Sequence, residues 1–185
     1  MDSKQTLRDR LEETARILEW AVAQVPAQRL LQEPPHGRHP QSDKGYKAFF
    51  GDWSAYRLLF HVVFYEEAYA LPTMKHWLGE PHPGVDLINP DPSVEEAAWR
   101  VELERGADLP ALLERFRALR QEQIRVLEGI PATEWFREKV DTSRGPVSAA
   151  FVVAKTVQHT LDHSNALMRN ALYWDRAWEW LEGQG

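Results

Sequence analysis

Leu7, Leu11, Ala15, Leu18, Val22 and Val25 recur at steps of three and four residues. The same rhythm returns in Leu112, Leu113, Phe116, Leu119, Ile124 and Leu127, and again in Phe151, Val152, Val157, Leu161, Leu167, Met168 and Leu172. Such spacing lines apolar side chains along one face of a helix. No segment alternates convincingly with a period of two, and no solenoid-like repeat is present. A chain so patterned must bury several helical stripes against one another. The sequence therefore predicts an all-α fold, a four-helix bundle with extra short helices and long connections. A length of 185 residues suits one domain spanning 1–185.

The punctuation sets the expected boundaries. Ser3 caps the first helix and Pro26 stops it. Residues 26–51, with P-P-H-G-R-H-P at 34–40, lack periodicity and read as a long connection of the kind that sometimes forms a lid. The second helix begins near Trp53 with Asp52 as N-cap, and Pro72 should kink or end it. Its apolar positions are Tyr56, Leu59, Phe60, Val63, Phe64 and Tyr69. Residues 79–92 read as a Pro- and Gly-rich loop. S-V-E-E at 93–96 is a capping box opening a short helix to about Arg105. Asp108 and Pro110 open the next helix, which ends at Gly129. Residues 131–145 are polar and broken, and Pro146 starts the longest apolar helix. The tail W-D-R-A-W-E-W-L (174–181) reads as one more short helix, with Trp174, Trp178 and Trp180 covering either the core or a subunit contact.

Composition removes several function classes. The net charge is −6 and no run of Lys and Arg stands out, which argues against a nucleic-acid partner. No cysteine is present, so any metal site must use His, Asp or Glu. The opening M-D-S-K-Q-T-L-R-D-R has no apolar signal region, and the apolar runs fall short of a membrane span. A cytoplasmic protein acting on small molecules is the expectation.

Two of the seven histidines, His159 and His163, stand four apart in the long apolar helix. At that spacing two imidazoles lie on one helical face and can share one divalent cation. Thr160 follows the first of them, so the run is not the H-E-x-x-H of zinc proteases. The alternative is a pair of core or surface histidines. His61 is the remaining His inside an expected helix. It is either a core imidazole bonded to a carbonyl or tyrosine, or a ligand facing His159 and His163 across the bundle. His36, His39, His76 and His82 lie in expected loops and read as solvated.

W-S-A-Y-R-L-L-F-H (53–61) resembles the W-S-x-x-x-x-x-x-H opening of the second helix in the DinB/YfiT-like superfamily, and H-x-x-x-H (159–163) matches its late signature. The element order agrees from about residue 5 to 172. The resemblance implies a four-helix bundle holding a divalent metal through His61, His159 and His163. Zinc or nickel is favoured, and iron or copper also suits nitrogen ligands. The sequence departs from the commoner family pattern at Arg57, at Lys155 and in the S-N-A that follows His163.

The same resemblance implies two functional classes. One is a metal-dependent enzyme, a thiol-dependent S-transferase acting on a small electrophile with a low-molecular-weight thiol, or a metal-dependent hydrolase. The other is a non-catalytic metal-binding stress or interaction protein. Homodimers are frequent in the superfamily. Arg57, Tyr65 and Lys155 are candidates to line the pocket, although Arg57 and Lys155 would more ordinarily extend to solvent. Glu66, Glu67 and Asp162 are the nearest carboxylates in sequence, but Asp162 is turned about 100° from His163 around the helix.

Overall fold

The computed structural model describes residues 3–38 and 40–176. Helix α1 spans Lys4–Gln24. Ser3 Oγ accepts from the Thr6 amide at 3.1 Å, and the chain leaves the helix at Val25, whose extended backbone is what a following proline demands. Leu7, Leu11, Leu18 and Val22 are buried along its inner face.

The connection at 26–51 is not structureless. A short 3₁₀ turn at Ala27–Arg29 leads to helix α2 at Pro40–Phe50. Tyr46 and Phe50 are buried in a small cluster with Phe49 and Tyr173. Three aromatics at helical spacing anchor α2, too few to stand out amid the surrounding Pro and Gly. Gly51 ends the helix in the left-handed region, φ 76°, where a side chain would be strained.

Helix α3 runs Ala55–Tyr65, and Ser54, rather than Asp52, caps it by accepting from the Arg57 amide at 3.2 Å. Pro72 does not end the helix. A π-turn at Glu66–Ala70 passes into α4 at Leu71–Lys75, with the proline in the first turn of α4. The widened turn falls where the proline ring would otherwise clash with the preceding carbonyls.

Helix α5, Pro92–Glu104, starts earlier than the capping box suggests, because Asp91 accepts from the Ser93 amide at 2.9 Å. Helix α6 spans Leu109–Gly129 and is capped by Asp108. Residues 138–148 form an antiparallel hairpin of β1, Glu138–Thr142, and β2, Gly145–Ser148, so Pro146 lies in a strand. Val140 pairs with Val147 and both are buried, but one inward apolar residue per strand leaves no alternation to read. Helix α7, Ala149–Tyr173, is capped by Ser148. Of the expected 174–181 helix, residues 177–181, with Trp178 and Trp180, lie outside the described residues, as does His39.

The α1 helix packs against α7 and α6, and α3 with its continuation packs against the same two, giving the four-helix bundle. At mid-height the core is polar. Arg120 and Glu66 form an ion pair at 2.6 Å, with exposures of 3% and 0%, and Thr160 hydrogen-bonds to both. Removing one partner of such a pair strands a buried charge, at a cost of about 3–5 kcal/mol. Urea denaturation should show a loss of that size for Arg120→Met. The double substitution with Glu66→Leu should recover most of it, and equal losses would refute the pairing argument.

Candidate metal centre

His61 projects from α3, and His159 and His163 from α7. His61 Nε2 lies 2.9 Å from His159 Nε2, which lies 3.2 Å from His163 Nε2. The three side chains offer ligand atoms within 4.8 Å of one another, and all are half-buried. No other group of His, Cys, Asp or Glu suited to a metal occurs among the described residues. The structure thus brings together the three histidines singled out from the sequence.

The opposite side of His61 explains its orientation. Its Nδ1 stands 2.8 Å from Glu95 Oε2 on α5. A carboxylate only accepts, so Nδ1 carries the proton and Nε2 presents a lone pair to the other rings. His159 Nε2 faces two imidazole nitrogens at once, and a single ring proton can satisfy only one of those contacts. A divalent cation satisfies every lone pair in the cluster, so the donor set fits such an ion. A carboxylate holding the far nitrogen of a ligating imidazole is the usual support for that role.

Glu95 was not legible as a site residue. It sits in the S-V-E-E run, whose acids read as helix-capping groups, and it meets His61 from 34 residues away. Arg57, expected to extend to solvent, is instead buried, 7% exposed, and pairs with Glu95 at 2.9 Å. Its guanidinium lies 5.1, 5.4 and 4.9 Å from the rings of Trp53, Phe60 and Trp99. This aromatic box shields Arg57 from water and fixes the Glu95 carboxylate against His61. Burial alone would raise the Glu95 carboxyl, but the His61 hydrogen bond and the neighbouring positive charges outweigh it and hold it below its ordinary value.

Tyr65 is buried with its ring 4.3 Å from that of His159, and Lys155 Nζ lies 4.8 Å from the Tyr65 ring. Trp53 covers the cluster, 4.8 Å from the His61 ring and 6.5 Å from that of His163. Glu66 and Glu67 bond to Arg120 and Arg115 rather than to a histidine, and Asp162 is exposed. Of the loop histidines, His76 donates through Nδ1 to the Glu80 carbonyl at 2.8 Å, and His36 lies 3.5 Å from Asp43. His163 also lines a cavity of about 320 Å³ between α2 and α7, walled by Phe50, Trp53 and Arg169, which gives the cluster an approach from outside.

A helical bundle carrying three convergent imidazoles defines the class. A model of the DinB superfamily matches residues 10–167, most of the chain, and the chain belongs to that superfamily. Comparison with curated proteins and with solved structures gave no match. No helix among the described residues is long and apolar enough to cross a membrane.

Burial, then the charges of His163 and His61, lowers the His159 imidazolium to about 2. Burial and the charge of His61 lower His163 to about 4. Both lie below the ~6.5 of an unfolded imidazole. Between those values the unfolded chain binds protons that the folded chain refuses, so stability is lost as the pH falls. Metal-free protein should lose thermal stability from about pH 6.5 down to about pH 4, and a His159→Asn, His163→Asn variant should show a flatter profile. A wild-type curve as flat as the variant's would contradict this. Separately, Glu95→Gln should weaken metal binding about 10–100-fold in chelator competition, and an unchanged affinity would remove Glu95 from the site.

Proposed function

We propose that this chain is a metal-dependent enzyme in which His61, His159 and His163 hold one divalent ion, zinc or nickel, and a low-molecular-weight thiol attacks a small electrophile. The observation that carries the reading is the convergence of three Nε2 atoms, with the far nitrogen of His61 turned to Glu95. Three protein ligands suit a catalytic site, since structural zinc sites are closed by four. When bound, such an ion supplies Lewis acidity and lowers the pKa of a water or thiol beside it.

The chain's own residues do the rest. Arg57 and Glu95 orient His61, Trp53 keeps bulk water from the rings on one side, and the cavity at His163 admits small molecules. The thiol and the transfer chemistry rest on the resemblance to thiol-dependent relatives. In the reaction the sulfur–carbon bond forms, the electrophile's leaving group departs with the bonding pair, and the thiol proton passes to solvent.

The test is elemental analysis of untagged wild type and His61→Ala, followed by assays of thiol transfer to a chloronitroarene. Wild type should carry about one equivalent of divalent metal and His61→Ala should lose it. Turnover should stop on chelation and return with added zinc or nickel. Equal metal in both proteins would overturn the ligand set. Bound metal without turnover across a panel of thiols would instead support a non-catalytic metal-binding protein.

A further inference from the structure

A second cavity shares no lining residue with the one at His163. It measures about 610 Å³ and sits among the hairpin, the 79–91 loop and the first turns of α7. Ile88, Val147 and Phe151 give it an apolar wall. Lys155 and Arg144 bring positive charge to it, and Glu138 is its acid.

Lys155 is the anomaly. It is half-buried, and burial pulls its ammonium below its ordinary value, with Asp162 and Asp86 acting in the other direction. Among the described residues it makes no hydrogen bond or ion pair, and its contact is with the face of Tyr65. A cation held partly from water without a carboxylate is costly unless something else supplies the anion. The loop acid that could reach towards it is already engaged. Asp86 accepts from the Ile88 and Asn89 amides at 2.8 and 3.2 Å and from the Ser143 amide at 2.9 Å. Those bonds tie the 79–91 loop to the hairpin turn, so the wall is preformed, which lowers the cost of binding. The cavity also meets the N-terminal turn of α7 at Ser148 and Phe151, the positive end of that helix dipole.

Position links the cavity to the histidines. Lys155, His159 and His163 follow one another at four-residue steps along one stripe of α7. Tyr65 bridges them, touching Lys155 with its ring and standing 4.3 Å from the His159 ring. We propose that this cavity binds the carboxylate end of a small organic acid with an apolar body, seated on Lys155 and Arg144, as the acid-bearing substrate or co-substrate of the histidine site. The proposal rests on the metal reading for its link to the histidines, but not for carboxylate binding itself.

Calorimetry of metal-stripped full-length protein with 4-phenylbutyrate and with its neutral amide tests the binding. The carboxylate should bind about tenfold or more tightly than the amide, the ordinary worth of a charge-assisted contact. Lys155→Met should remove that preference and Arg144→Gln should reduce it, whereas Lys47→Met, in the cavity at His163, should leave it unchanged. Equal binding of acid and amide, no binding of either at millimolar concentration, or an equal effect of Lys47→Met would overturn the site. The link to the histidines is read in protein loaded with cobalt(II) against zinc. Probe protons should relax faster beside the paramagnetic ion. Carboxylate binding without that enhancement would overturn the link alone. Protein that takes up no metal would instead refute the metal reading and leave the calorimetric result standing.

Discussion

Between α3 and α7 the bundle closes around three imidazoles where an ordinary bundle would close around leucines. The ring-nitrogen contact of His61 with His159, at 2.9 Å, spans the two helices at that level, and His163 joins it from the next turn of α7 at 3.2 Å. Neutral rings so arranged are short of protons and crowded with lone pairs. Burial keeps His159 and His163 neutral, and the same burial makes them costly to protonate. The arrangement suits a cation, and the remaining features of this end of the molecule can be understood as holding the rings in place.

The support comes from outside the four bundle helices. Helix α5 has no fully buried residue, yet it docks on α3 through Trp99 against Phe60 and through the Tyr56 hydroxyl, which donates to Glu102 at 2.7 Å. That docking delivers Glu95 to His61. Arg57 then carries the positive charge that a lone carboxylate would lack, and the rings around it replace the water it gives up. Lower in the same core, Glu66 and Arg120 meet Thr160, the residue after His159, so the backbone bearing the ligands is tied across the bundle to α6. The π-turn at Glu66–Ala70 lies where this tie and Pro72 occur together.

The helical stripes of α1, α6 and α7 were legible because each repeats its apolar step over many turns. His159 and His163 were legible as a pair because four-residue spacing on one helix is a local property, and His61 joined them through the W-S-x-x-x-x-x-x-H pattern. Glu95 was not, since its partner lies on another helix and its own run, S-V-E-E, has a sufficient local explanation in capping. Arg57 misled for a related reason: long basic side chains usually reach solvent, and only the assembled box of Trp53, Phe60 and Trp99 makes burial tolerable. Helix α2 was hidden among prolines and glycines, and the hairpin offered a single inward valine on each strand. In each case the missing signal was tertiary.

The central claim is a metal centre built from three imidazoles on two helices. X-ray absorption spectroscopy of the zinc-loaded protein in solution tests it most directly. The account predicts a first shell of nitrogen and oxygen with nitrogen at about 2.0–2.1 Å, and outer-shell scattering from three imidazole rings. A bound ion showing one imidazole or none, or a protein that retains no zinc, would contradict it.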